Sequence, residues 1–81
     1  MNDIEFELIG DYVELNQLLK LTGVCVSGGA GKLRVAAGEV SVDGQVELRK
    51  TCKIRAGQLV RVNDLSIRVV NIIDLMRLQP P

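Results

Sequence analysis

Apolar and polar residues alternate at the start of the chain. Ile4, Phe6 and Leu8 are separated by Glu5 and Glu7, the period of a half-buried strand. Gly10-Asp11 interrupts this pattern, and after Val13 the period lengthens. Leu15, Leu18, Leu19 and Thr22 share one helical face while Glu14, Gln17 and Lys20 lie elsewhere, which predicts a helix over 13–22. Asp11 has the chemistry of its N-cap, with Glu14 completing a capping box, and Gly23 suits the position just past its end.

Ser27 predicts a second N-cap, opening a helix over about 28–37 that Gly38 ends. Ala30, Leu33 and Ala37 fall on one face, Lys32 lies nearly opposite, and Arg34 flanks the apolar stripe. Val35 falls off that stripe. Three glycines in the first turns disfavour a helix by roughly 1 kcal/mol each against alanine, so packing on the first helix is expected to hold it.

Beyond Gly38 the chain reads as strands. Val40 and Val42 alternate with Ser41, Asp43-Gly44 is a hairpin-turn signal, and Val46 and Leu48 follow. The stretch RKTCKIRAGQ (49–58) is basic and loosely patterned, with Cys52 and Ile54 expected inward and Lys53 and Arg55 outward. Leu59–Val62, a turn near Asn63-Asp64, and Ile67–Val70 predict a final hairpin. The tail 71–81 reads as a short amphipathic helix or a frayed end.

With 81 residues there is room for one small domain, and a single Phe and Tyr with no Trp make its core aliphatic. The absence of histidine removes the commonest general base and a common metal ligand, and no cofactor or metal is expected. The acidic N-terminus is unlike a secretory signal and no apolar run is long enough to span a membrane. A cytoplasmic protein with two free thiols, Cys25 and Cys52, and no membrane partner is therefore expected.

The ten acidic and ten basic residues cancel, but not locally. Residues 1–14 hold five acidic residues and no Lys or Arg; over 15–70 nine basic residues oppose four acidic ones, a balance of +5. Such a segment can attract a polyanion although the total charge is nil.

The stretch VCVSGGAGKL (24–33) raises the question of a nucleotide site. A phosphate-binding loop ending in Gly31-Lys32 needs glycine at position 26 and a hydroxyl residue at 33, where this chain has Val26 and Leu33. The dinucleotide fingerprint fails at Arg34. Two readings of the glycines remain open. They could mark close packing of two backbones, or the bare amides of Ser27, Gly28 and Gly29 could form a helix start that receives a phosphate.

The order of these features resembles the RNA-binding domain first described in ribosomal small-subunit protein four, the S-four domain. The matching positions are Ser27, Ala30, Gly38, Val40, Val42-Asp43-Gly44 and Gly57-Gln58, and the resemblance covers about 13–70. The runs LLKLTG (18–23) and RKTCKIRAGQ (49–58) are similar to small stand-alone members of the YbcJ type. This resemblance implies an α+β fold, with two short packed helices and a small, mainly antiparallel sheet of about four to five strands (the alpha-L RNA-binding motif). It implies one domain over 1–70, with 71–81 as a tail. Its function would be non-catalytic binding of structured RNA, ribosomal or transfer RNA, by a monomer that can associate with the ribosome. By position the RNA-contacting residues would be Lys32, Arg49, Lys50 and Lys53, with Arg34 and Arg55 secondary. Many members carry Arg or Lys after the capping serine, where this chain has Gly28; that contact is lost or passes to a backbone amide.

Residue chemistry agrees with structured RNA, which is recognised by shape and by phosphate and 2′-OH contacts. Phe6 and Tyr12 both precede the basic segment and offer little for a base-stacking platform. Two alternatives are distinguishable. In one, the apolar tail residues Ile72, Ile73, Leu75 and Met76 dock a protein partner. In the other, Lys50 and Lys53 lower the pKa of a nucleophilic Cys52, although a thiol packed beside Ile54 would be inert.

Overall fold

A computed structural model describes residues 2–71. Its elements are β1 (Asn2–Glu7), β2 (Val13–Glu14), α1 (Leu15–Leu21), α2 (Gly28–Ala36), β3 (Val40–Val42), β4 (Gln45–Val46), β5 (Lys53–Ile54), β6 (Leu59–Val62) and β7 (Leu65–Val70). Five strands form one sheet in the order β1-β7-β6-β3-β4, and β2 pairs with β5 in a separate two-stranded ribbon. All neighbours are antiparallel except β1 and β7, which run parallel from Asn2↔Leu65 to Glu7↔Val70. The fold is thus the expected α+β arrangement of two helices and a mainly antiparallel sheet. The tail reading concerns residues that, apart from Asn71, lie outside those described.

The core is aliphatic. Leu15, Leu18 and Leu19 of α1 and Val35 of α2 meet Val40, Val60, Val62, Ile67 and Val69 of the sheet, together with Ile54 of β5. Cys25 is buried in this cluster and Cys52 lies at its margin; both are free thiols. The Asp43-Gly44 hairpin forms as read, with φ of 51° and 87°, the left-handed pair that matches strand twist. Asp43 also accepts from the Leu59 amide at 2.9 Å, tying this turn to the start of β6.

Three local expectations are corrected. First, α1 begins at Leu15, and Asp11 does not cap it: Glu14 occupies the cap position without a side-chain hydrogen bond. The reason is tertiary. Val13 and Glu14 pair with Ile54 and Lys53, and the first free helix amides, of Leu15 and Asn16, donate to Cys52 O (2.9 Å) and Lys50 O (3.1 Å).

Second, α2 buries Gly31 and Val35, whereas Leu33 of the expected stripe is 73% exposed. A Cβ at Gly31 would lie 2.7 Å from the backbone oxygen of Asn16. The side of α2 that carries Gly31 therefore faces α1, because any side chain at that position would hold the two backbones apart. Val35, one turn on, follows Gly31 into the core. Third, β4 stops at Val46 and leaves Leu48 exposed in the following loop. The Glu47 carboxylate accepts from the Arg49 amide at 3.0 Å and turns the chain out of the sheet.

Candidate nucleic-acid interface

The chain between β4 and β5 has few strand contacts of its own and takes its shape from anchors at both ends. Glu47 grips Arg49 at one end, and the β2–β5 pairing holds Lys53 at the other. Between them, the carbonyls of Lys50 and Cys52 serve as acceptors for the start of α1. The loop so fixed stands against α2, and the two enclose an open groove of about 760 Å³ lined by Lys32, Leu48, Arg49, Lys50, Cys52 and Lys53. Four of the six expected contact residues thus meet at one site.

Lys32 and Lys50 are exposed and form no ion pair with any described residue. Arg49 is engaged but available. Its Nε and Nη2 donate to the Glu47 carboxylate at 2.9 and 3.0 Å, while its side chain stays 77% exposed, leaving the Nη1 edge of the fork for another acceptor. The Arg49 side-chain and backbone bonds hold the Glu47 pKa down to about 2. Cys52 shifts the other way: burial, then the Glu47 charge, raises its pKa, so the thiol keeps its proton. The idea of a nucleophile activated by Lys50 and Lys53 has the wrong sign.

The other two candidates stand apart from the groove lining. Arg34 pairs with Glu39 at 3.2 Å, just beyond the end of α2. Arg55 follows β5 and donates to the Asp11 carbonyl at 3.3 Å.

At the start of α2, Ser27 caps as read. Its Oγ accepts from the Ala30 amide at 3.1 Å and its carbonyl from the Gly31 amide at 3.0 Å. The amides of Gly28 and Gly29 have no acceptor among the described residues. The three glycines divide by role. Gly31 is a packing contact; Gly29 opens on space; a Cβ at Gly28 would lie 3.0 Å from Gln17 Nε2 and 3.4 Å from Asn16 Nδ2. The side-chain amides of α1 therefore stand beside this helix start. Asn16 is buried there, and its Oδ1 has no partner among the described residues. Sequence patterning had no signal for Asn16, which reads as an ordinary polar position. It set Tyr12 aside for preceding the basic segment, whereas the fold brings Lys53 Nζ to 4.9 Å and Arg55 Cζ to 5.8 Å from its ring centroid.

The fold separates part of the charge that cancels in the total, although Glu14 stays opposite Lys53 in the β2–β5 ribbon. Asp3, Glu5 and Glu7 sit on β1, at one edge of the sheet, and the groove loop leaves β4 at the other edge. Four strand spacings put these edges about 19 Å apart. That is more than twice the Debye length of about 8 Å at physiological salt. At that separation the β1 carboxylates are screened from the point where the groove loop leaves the sheet.

Comparison with known proteins gives a consistent result. The family model of the S4 domain matches residues 6–70. The "Putative RNA-binding protein YbcJ" of Escherichia coli (strain K12) is 52% identical over 59 residues, 73% of this chain and 84% of that protein. A YbcJ protein of Shigella flexneri matches to the same extent. The solution structure of YbcJ from E. coli, described as revealing an alfaL motif involved in RNA-binding, superposes with a TM-score of 0.62 at 46% identity. That match covers 86% of this chain and 87% of the other.

Proposed function

The chain belongs to the S4 domain family, and from that premise we propose that it is a non-enzymatic protein that binds structured RNA by its phosphate backbone. The groove between α2 and the loop after β4 is the binding surface. One observation carries this reading: Lys32, Arg49, Lys50 and Lys53, up to 21 positions apart in the chain, line a single groove, and three of them (Lys32, Lys50 and Lys53) lack any described ion-pair partner. Uncompensated cations fixed along a groove are what a phosphate backbone needs, and they carry no base-reading chemistry. The amides of Gly28 and Gly29, on the same helix as Lys32, offer one further phosphate a site without a charged side chain.

The RNA class proposed is ribosomal or transfer RNA, bound by a monomer in the cytoplasm with the ribosome as one setting. The test is a salt titration of binding to a structured RNA. About four neutralised phosphates give a log–log slope near −3 to −4. The variant Lys32→Ala/Arg49→Ala/Lys50→Ala/Lys53→Ala should lose about 100-fold in affinity at physiological salt and most of that slope. Unchanged affinity in this variant, or a flat salt dependence, sinks the proposal.

A further inference from the structure

Tyr12 lies outside the basic segment in sequence, and the β2–β5 ribbon brings it to the end of the groove. The register Val13↔Ile54 and Glu14↔Lys53, continued by one step, sets Tyr12 across from Arg55. Because Val13 and Ile54 turn toward the core, their neighbours Tyr12, Glu14, Lys53 and Arg55 share the outer face of the ribbon, with Glu14 directly opposite Lys53. The contacts agree: both cations rest within 6 Å of the ring centroid, and Tyr12 remains 44% exposed. Lys53 belongs to both places, since it lines the groove and lies over the ring.

We infer that Tyr12 is the stacking contact for one unpaired base next to a duplex held in the groove; this rests on the phosphate-groove reading above. The bases of a continuous A-form duplex are out of reach of a side chain at its surface, whereas an unpaired base can splay out and stack on an aromatic or guanidinium plane. Before RNA arrives, Lys53 and Arg55 hold the ring by cation–π attraction. A phosphate entering the groove gives the Lys53 ammonium a stronger partner and frees the ring surface beneath it. Arg55, tethered to the Asp11 carbonyl, stays beside the ring and supplies a second plane for the base. One ring accommodates one base, so the RNA class selected is a duplex that ends in, or is interrupted by, an unpaired nucleotide.

The experiment compares two RNAs of identical duplex sequence, one blunt and one with a single unpaired 2-aminopurine at its end, whose fluorescence falls on stacking. The wild type should bind the overhang RNA about tenfold more tightly than the blunt one and quench the 2-aminopurine. Tyr12→Ala should abolish both the preference and the quenching and leave blunt-duplex affinity within about twofold, while Tyr12→Phe keeps both. Equal binding of the two RNAs by the wild type, or a preference that survives in Tyr12→Ala, overturns the inference and leaves the groove intact. Failure of the wild type to bind even the blunt duplex would instead remove the reading on which it rests.

Discussion

At the start of α1 the amides of Leu15 and Asn16 are taken by the carbonyls of Cys52 and Lys50; at the start of α2 the protection is local, from Ser27, and the amides of Gly28 and Gly29 keep no acceptor among the described residues. The same physics governs both ends, since every helix begins with free donors and the positive end of its dipole. Their fates differ because of what stands in front of them. The loop after β4 closes over α1 and spends its carbonyls there, which fixes that loop as one wall of the groove. No acceptor among the described residues reaches the Gly28 and Gly29 amides of α2. One helix start shapes a wall of the groove, and the other keeps two amides without an acceptor among the described residues.

The most damaging way to break this contrast is to push the helices apart. Gly31→Ala places a methyl 2.7 Å from the Asn16 carbonyl oxygen, a backbone atom that cannot swing aside. After the gain in helix propensity, the net loss should be about 2 kcal/mol, lowering the melting temperature by roughly 10 °C. Thermal unfolding followed by circular dichroism measures it. An unchanged melting temperature would show that this contact does not set the helix separation.

Ser27→Ala acts on α2 alone. It removes the Oγ acceptor for the Ala30 amide, with an expected cost of about 1 kcal/mol by denaturant titration. Asp11→Ala, at the position read as a cap for α1, should change stability by less than about 0.5 kcal/mol, because tertiary carbonyls do the capping there. Equal losses in the two variants would erase the distinction between the helix starts.

Gly29→Ala sharpens the contrast, since a Cβ there meets only Ser27 Oγ, at 3.8 Å. Stability should rise by about 0.5 kcal/mol while RNA affinity drops a few-fold, because the new methyl stands where a phosphate would approach the amides. Affinity that stays level as stability rises would assign Gly28 and Gly29 to packing and local geometry alone.

The smallest effect concerns the loop over α1. Folding lowers the Glu47 pKa from 4.5 to about 2, so the folded chain holds fewer protons than the unfolded one between those values. The Glu47–Arg49 contribution is complete above about 4.5 and is lost as pH falls toward about 2. Wild type should therefore lose more stability than Glu47→Gln when urea midpoints at about pH 6 and about pH 3 are compared. The difference should be modest, because the arginine side of the pair is in water. Parallel losses would mean that Glu47 does not hold the loop.

Legibility in the sequence followed the range of the interactions. Ser27, Gly23, Gly38 and Asp43-Gly44 could be read because a cap or a turn is decided within a few residues; Ser27 does cap, and all three glycines and Asp43 have the positive φ such positions require. The aliphatic core was legible from composition. Asp11 failed as a cap because a strand pairing with residues 53–54 claimed Val13 and Glu14. Leu33 failed as a core residue because helix rotation was decided by how near α1 could come, and Gly31 allowed the nearer approach.

The sequence by itself determined the elements that short-range chemistry controls, the charge asymmetry, and, through its resemblance to a known domain, the family to which the chain belongs. Only the tertiary structure decided which cations meet, since a groove is made by residues distant in the chain. It left Arg34 with Glu39, brought Lys32 to the loop after β4, and carried Tyr12 to the end of the groove by way of Ile54. Local propensity has no term for such meetings; they arise when backbone donors find acceptors far along the chain and one glycine lets two helices touch.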